Sequence, residues 1–170
     1  KYDKNYVEAL GLGATKKEAS LWKYLKNELG QNNPLKWKEA FARLTWRFCT
    51  PAAIDDLKIR IASDKLELTE RQFAVESMAF INNKDAAISL INLAKLESPL
   101  KEDMTHWIFM RRLTAWSKLD IAEEVKGIYD PEQLVINAMT IPEEPKEQTL
   151  SQEKILSLQG NIEHGKNKIM

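Results

Sequence analysis

The feature that most constrains this chain is a repeat of helical apolar patterns with a period of 34 residues. Small and branched apolar residues open two segments in the same order, namely Ala52, Ala53, Ile54 and Leu57, then Ala86, Ala87, Ile88 and Ile91. The segment opening at Thr15 precedes the one at Thr50 by a similar distance. Because one helix pair cannot bury its apolar faces alone, repeated pairs stack on one another. The repeat predicts an all-α, HEAT-like superhelix, a right-handed solenoid of antiparallel helix pairs, with an ordinary helical bundle as the alternative.

Start and stop signals divide the region before residue 120 into helices of ordinary length. A short first helix is expected near residues 3–10, with Gly11 and Gly13 closing it. Later starts are expected at polar caps or prolines: Thr15 with Glu18 as a capping box, Pro34, Thr50 before Pro51, Thr69 with Gln72 as a second capping box, Asn83, and Ser98 before Pro99. Gly30 is expected to stop the second helix, and the seventh is expected to reach about Trp116.

Apolar residues three and four positions apart predict the buried face of each helix. In chain order these are Leu21, Trp22, Leu25 and Leu29; Trp37, Phe41, Leu44 and Phe48; Ile54, Leu57 and Ile61; Ala74, Met78 and Ile81; and Ala87, Leu90, Ile91 and Ala94. The seventh helix is apolar on two sides, as a helix between neighbours requires, with Met104, Trp107 and Ile108 on one and Phe109, Leu113 and Trp116 on the other. Because glycine and proline number only 6 each, we expect little or no strand.

The charge balance and the hydropathy of the sequence restrict the kinds of partner that this chain is expected to bind. Lys and Arg together number 25, as do Asp and Glu, and the isoelectric point is about 7.0. Without an overall field, binding to nucleic acid or to an anionic membrane through long-range charge is disfavoured. The longest apolar runs are only a few residues, so we expect no membrane insertion by this segment. No signal-peptide pattern follows Lys1, and we expect the chain to be a piece of a longer protein.

Few residues in the sequence suggest chemistry. His106 and His164 stand 58 positions apart, and neither has a partner at the spacing of a zinc site. We expect His106 to be a packed or capping residue and Cys49 a small apolar filler. Adjacent carboxylates on a helix point about 100° apart, so we expect solvated faces for Asp55 with Asp56 and for Glu123 with Glu124. We therefore predict no catalytic, cofactor-binding or metal-binding residue, and no cofactor within this chain.

Two observations keep other functions open. The chain has five tryptophans, which could line a groove for a base or a sugar but at helical spacing are more often core filler: Trp22, Trp37, Trp46, Trp107 and Trp116. Arg111 and Arg112 invite comparison with helical-repeat DNA glycosylases, which hold a lesion with aromatics, an aspartate and a basic concave surface. A nucleic-acid-binding enzyme of that type is one alternative function, although the net charge of zero argues against it. A generic protein–protein interaction module is another.

The composition changes beyond residue 126. Asp130-Pro131, Pro142 and Pro145 interrupt helicity, and residues 143–148 are mostly charged. We expect a HEAT-like helical repeat domain over residues 1–126 and a Pro/Glu-rich linker over residues 127–148. Residues 149–170 are expected to contain a short helix, which either packs back on the repeats as a terminal helix or belongs to a further domain.

Several short motifs resemble one multidomain family. They are Tyr2-Asp3-x-x-Tyr6-x-Glu8-Ala9-Leu10-Gly11-Leu12-Gly13-Ala14, the Leu21-Trp22 pair, Leu44-Thr45-Trp46-Arg47 and Thr50-Pro51-Ala52-Ala53. Over most of residues 1–126 the chain resembles the HEAT-like region of bacterial PVC-type haem-binding, membrane-bound-dehydrogenase-like proteins. In that family a propeller resembling sugar dehydrogenases precedes the repeats, and a cytochrome c domain with a C-x-x-C-H haem site follows them.

The C-terminal residues extend the resemblance. The motif Ile155-Leu156-x-Leu158-x-Gly160-Asn161-x-x-x-Gly165-Lys166 looks like the entry helix that precedes haem attachment in cytochrome c domains. On this resemblance residues 149–170 begin a truncated cytochrome c-like segment, cut just before the haem cysteines. Haem c is then expected only in the parent protein, C-terminal to Met170, and no functional residue of the family maps onto this chain.

The resemblance implies a non-catalytic scaffold within a larger, exported, cytochrome c-containing, dehydrogenase-like protein. The module would position the propeller and haem domains, so that electrons pass from substrate to haem. Its expected partners are the adjacent domains of the same polypeptide, with another protein as a further candidate. Because haem cysteines are loaded outside the cytoplasm, the expected location is periplasmic or at the cell surface. The segment itself is not expected to be an enzyme, although the parent would be an oxidoreductase.

Overall fold

The structure is a computed structural model that describes residues 4–128. Over this range the chain forms eight α-helices and no strand: α1 Lys4–Gly13, α2 Glu18–Glu28, α3 Glu39–Phe48, α4 Ile54–Ala62, α5 Leu68–Ala79, α6 Lys84–Ala94, α7 Lys101–Arg112 and α8 Ala122–Val125. Two short 3₁₀ turns, Pro34–Lys36 and Pro51–Ala53, precede α3 and α4. The all-α prediction is therefore confirmed for these residues.

Several expectations fall outside the described residues. They concern the linker from residue 129 onward, the segment 149–170 and His164. None of the described helices is long and apolar enough for a bilayer crossing.

The helices pack as consecutive pairs. Within the described range α2 contacts α3, α4 contacts α5, and α6 contacts α7. The second helices of the pairs also contact one another in series, α3 with α5 and α5 with α7, and α1 packs on α3 ahead of them. Among the first helices, α4 contacts α6, and the 3₁₀ turn before α4 contacts α2. Pairs that are adjacent in sequence are therefore also adjacent in space.

The repeated apolar residues occupy matching places in this arrangement. Ala53, in the 3₁₀ turn just before α4, and Leu57, within α4, are buried, and so are Ala87 and Ile91 within α6. Because α4 and α6 contact each other, the repeated residues belong to neighbouring helices. Equivalent positions of the repeat are therefore buried alike.

Several predicted helix boundaries are confirmed. Thr50 caps the turn that begins at Pro51, because its hydroxyl accepts a hydrogen bond from the Ala52 amide. The Asn83 side chain accepts hydrogen bonds from the amides of Asp85 and Ala86 at the start of α6. Gly30 has a φ of +63°, its amide donates to the Asn27 carbonyl, and the next amide donates to the Lys26 carbonyl. This is the Schellman arrangement that ends many helices, and glycine adopts the left-handed φ without strain.

The two predicted capping boxes are wrong. Thr15 donates its hydroxyl back to the Leu12 carbonyl, so it completes the turn after α1, and α2 begins only at Glu18. Thr69 lies within the first turn of α5, and Gln72 instead donates to the Asp103 carboxylate on α7. Thr15 thus bonds within a turn and Gln72 bonds to another helix, and neither side chain is left to cap the start of its own helix.

Two other boundary predictions also need correction. Pro34 opens only a 3₁₀ turn, and α3 begins at Glu39, because the backbone is extended at Trp37. Gly11 lies inside α1, which continues to Gly13. A Cβ at Gly11 would lie 2.6 Å from Arg47 Nε, so this glycine is required by the close passage of an arginine side chain.

The predicted core is largely confirmed, with three of its indoles buried and hydrogen-bonded. Trp22 Nε1 donates to the Thr45 hydroxyl, Trp37 Nε1 to the Gln31 carbonyl, and Trp116 Nε1 to the Ile81 carbonyl. The ring centroids of Trp22 and Trp37 are 6.2 Å apart in an edge-to-face arrangement. A buried indole N–H needs such a partner, so these contacts fix the rings in place.

Two predicted core residues are exposed. Leu29 is 54 % exposed and Leu113 is 65 % exposed. Helix α7 ends at Arg112, short of the predicted Trp116, and the Trp116 amide donates to the Arg111 carbonyl across a turn. The turn carries Trp116 back into the core and leaves Leu113 outside, because the helical period does not continue past Arg112.

We predict that Gly11→Ala destabilises the fold by about 1 kcal/mol, because the added methyl displaces the Arg47 side chain from its ion pair with Glu8. The control Gly13→Ala has open space around the new Cβ and should be neutral or up to about 1 kcal/mol stabilising. Urea unfolding followed by circular dichroism measures both. Equal effects of the two substitutions would contradict the close approach at Gly11.

Unfolding measurements also distinguish Asn83, which caps a helix, from Thr15, which does not. Asn83→Ala should cost about 1 kcal/mol, because two amides of α6 lose their acceptor. Thr15→Ala, at a position that the sequence alone marks as a cap, should cost less than about 0.5 kcal/mol, since its hydroxyl only donates to an exposed carbonyl. Thermal unfolding measures both variants, and an effect of Thr15→Ala as large as that of Asn83→Ala would contradict the described start of α2.

Candidate functional site

A row of three aromatic side chains crosses the second helices of the three pairs. Trp46 lies on α3, Phe80 at the end of α5 and Trp107 on α7, and all three are half-buried. Their ring centroids are 5.7 Å apart between Trp46 and Phe80 and 5.4 Å apart between Phe80 and Trp107. These distances are those of interacting aromatic pairs. We refer to Trp46, Phe80 and Trp107 as the aromatic strip.

Polar groups fix the orientation of the strip. Trp46 Nε1 donates to Glu76 Oε1 over 3.1 Å, which ties α3 to α5. The Arg111 guanidinium lies with Cζ 4.9 Å from the centroid of the Phe80 ring, which ties α7 to α5. The buried Nε of Arg111 has no hydrogen-bond partner within the described residues. The strip therefore combines aromatic area with a cation whose bonding capacity is not fully used.

Arg47 and Cys49 lie beside Trp46. Arg47 Nε forms an ion pair with Glu8 Oε2 at 2.7 Å, so α1 is joined to the edge of the strip. Cys49 ends α3 in a left-handed conformation with φ +46°, and its Sγ donates to the Trp46 carbonyl. Burial raises the pKa of the Cys49 thiol above its ordinary value, and the positive charges of Arg47 and Arg111 oppose that rise.

The strip and the side chains around it offer several kinds of contact to a partner. Aromatic edges, an arginine and a carboxylate can stack on and hydrogen-bond to a partner. Within residues 4–128 no group of three or more His, Cys, Asp or Glu side chains is placed to hold a metal ion. Because burial raises the pKa of Cys49, the thiol is mostly protonated at neutral pH and is a poor nucleophile.

Only some of the candidate residues identified from the sequence lie at the strip. His106 is exposed, with its ring centroid 6.0 Å from that of Trp107, so the expectation of a packed histidine is wrong. Arg111 contacts Phe80 of the strip, and Cys49 contacts the backbone of Trp46. Asp56 is not on a solvated face, because it pairs with Lys26 and joins α4 to α2, whereas Asp55 is exposed as expected.

Sequence reasoning did not identify Phe80 as part of the strip, or Glu76 as the hydrogen-bond partner of Trp46. A signal was present, because Trp46 and Phe80 are separated by 34 residues, the period of the apolar repeat. Positions one period apart on stacked pairs are expected to be spatial neighbours. Trp107 departs from this period, and only the packing of α7 places it beside Phe80.

No family model matches the chain, and no curated protein or solved structure shows significant similarity to it. Its function therefore has to be inferred from the strip and from the helix packing that presents it.

We predict that Cys49 reacts with iodoacetamide more slowly in the folded chain than in urea at the same pH, because burial holds the thiol in its protonated form. The rate should rise only as the pH passes above the ordinary thiol range. Since the folded state retains this proton, its contribution to the free energy of unfolding is full below the unfolded pKa and is lost as pH rises through the folded pKa.

Cys49 is the only cysteine of the chain, so the alkylation signal comes from one site, and Cys49→Ser provides the blank. Faster reaction in the folded chain than in urea would mean that the charges of Arg47 and Arg111 outweigh burial. That result would contradict the described environment of the thiol.

Proposed function

We propose that this chain is a short HEAT-like superhelix that acts as a non-catalytic scaffold and docks a partner protein domain on the aromatic strip. The observation that carries the proposal is that three successive second helices, α3, α5 and α7, each contribute one half-buried aromatic side chain, on the helix or directly after it, to a single row of rings. Aromatic side chains that keep part of their surface accessible are enriched at protein–protein interfaces.

The serial contacts between helix pairs support the superhelix. In an ordinary closed bundle, the first and last helices would be expected to pack around one shared core. Here the helix contacts run in order, α3 with α5 and α5 with α7, and α4 with α6. An open stack of this kind presents its second helices as one continuous surface, which repeat proteins use for binding.

The composition of the strip fits a protein partner. Tryptophan and arginine are the residues that most often dominate the free energy of protein–protein association. Trp46 and Trp107 supply rigid apolar area, and their orientation is already fixed by Phe80 and Glu76. Little conformational entropy would then be lost when a partner covers them.

The resemblance to PVC-type haem-binding, membrane-bound-dehydrogenase-like proteins indicates which partner to test. In that context the partners are the adjacent domains of the same polypeptide, a propeller before the repeats and a cytochrome c domain after them. The scaffold would hold the two in a fixed relation outside the cytoplasm, in the periplasm or at the cell surface. Haem c would then belong to the parent protein, beyond Met170.

The proposal predicts that the separately produced propeller domain of the parent binds this chain, and that Trp107→Ala weakens that binding at least about tenfold, as loss of a central tryptophan does in other interfaces. Tyr24→Ala is the matched control, because Tyr24 is an exposed aromatic on α2, away from the strip. Isothermal titration calorimetry measures both, with circular dichroism to establish that each variant is folded.

Two outcomes would refute the proposal. One is equal binding by the wild-type chain and the Trp107→Ala variant. The other is turnover of a sugar, or transfer of electrons, by the purified chain alone, since a scaffold without reactive groups cannot perform either reaction.

A nucleic-acid-binding function of the DNA glycosylase type is the second candidate. It is favoured by one observation, the Arg111 guanidinium against the ring of Phe80, since bases stack on aromatic side chains next to cations. Tight binding in a DNA mobility-shift assay, weakening steeply with salt, would support this candidate over the scaffold.

A further inference from the structure

A second feature of the molecule lies apart from the aromatic strip. A cavity of about 380 Å³ opens between α3, the end of α4 and the start of α5. Its wall combines aromatic, aliphatic and charged side chains: Trp37, Glu39, Ala42, Arg43, Arg60, Thr69, Glu70 and Phe73. The volume falls within the range of roughly 300–1,000 Å³ that is usual for small-molecule sites.

Arg60 is the most unusual residue of this cavity, because its side chain is only 3 % exposed. The guanidinium donates to the Pro34 carbonyl and lies with Cζ 5.1 Å from the Trp37 ring centroid. Its carboxylate partner is Glu70, reached by a single contact of 3.3 Å from Nη2 to Oε1. Burial lowers the pKa of Arg60 whereas Glu70 raises it, and burial has the larger effect, so the Glu70 contact offsets the desolvation of the guanidinium only in part.

Arg43 brings a second guanidinium to the same wall. Its Cζ lies 4.8 Å from the Phe73 ring centroid, and Nη2 is 3.5 Å from Glu39 Oε1. The cavity thus has two guanidiniums, each held against an aromatic ring, with apolar surface from Trp37, Phe73 and Ala42 between them. Arginines fixed in this way lose little freedom when they bind a carboxylate.

We propose that this cavity binds the carboxylate of a small acid with an apolar body. The carboxylate would accept hydrogen bonds from Arg60 and Arg43, and the apolar body would pack against Trp37 and Phe73. A short, two-oxygen interaction with a guanidinium is stronger than the long single contact that Arg60 makes with Glu70.

The two glutamates determine how binding should respond to substitution. Glu39 and Glu70 have side chains that are 67 % and 45 % exposed, so both can turn into solvent. A ligand carboxylate would compete with them for the arginines. Removing the charge of Glu70 should therefore strengthen binding, although it deprives buried Arg60 of its ion pair in the free protein.

The same chemistry could come from a free acid or from the C-terminal carboxylate of a polypeptide. Phenylacetate is the probe for the first source, and an N-acetylated tripeptide that ends in phenylalanine is the probe for the second. Phenylacetamide and the C-terminally amidated tripeptide are their uncharged counterparts. The acid that binds more tightly identifies the source of the carboxylate.

The test is titration calorimetry and thermal shift on the whole chain and on three variants. We expect saturable binding of at least one of the two acids, weakened about tenfold by Arg43→Gln and strengthened severalfold by Glu70→Gln, since each changes one charge-assisted contact. Arg112→Gln is the matched control, because Arg112 is outside the cavity wall, and it should leave binding unchanged.

These substitutions avoid Arg60 itself, whose removal could prevent folding. The proposal is overturned if neither acid binds saturably, if the uncharged counterparts bind as well as the acids, or if Glu70→Gln weakens binding. It is likewise overturned if Arg43→Gln and Arg112→Gln have equal effects. None of these outcomes bears on the docking of a protein domain at the aromatic strip, which is tested separately.

Discussion

The packing of each helix pair against the next is the interaction on which the rest of the described structure depends. A pair such as α4 and α5 has apolar residues directed both at its partner helix and at the neighbouring pair, so neither pair is complete alone. Small side chains in the turn before α4 and in the first turn of α6, namely Ala53, Ala86 and Ala87, are fully buried, and α4 contacts α6. Larger side chains at these positions would not fit without displacing their neighbours.

The surface chemistry follows from this packing. Serial contact of α3, α5 and α7 places one side of three helices in a row, and any side chain repeated on that side becomes part of a continuous strip. Trp46 and Phe80 meet for this reason, and Trp107 joins them from α7. The strip is therefore a consequence of these serial helix contacts, which also bring Arg111 against Phe80 although the chain has no net charge.

The strip and the Arg60 cavity differ in what they can bind. The strip spans three helices, so its proposed occupant is the broad surface of a protein domain. The cavity is partly open and its wall carries two guanidiniums, so its proposed occupant is a small carboxylate. Ion pairs between elements, such as Lys26 with Asp56 and Arg47 with Glu8, stabilise the same stack without forming either site.

Local sequence determined the helical class of this protein, the apolar faces and several helix ends, because these depend on residues within one turn of each other. The caps at Thr50 and Asn83 and the stop at Gly30 are of this kind. Tertiary structure alone decided that Gln72 contacts Asp103 instead of capping α5, and that Gly11 makes room for Arg47. It also decided which tryptophans are buried and which reach the surface, because helical period fixes the face of a residue but not the neighbour that covers it.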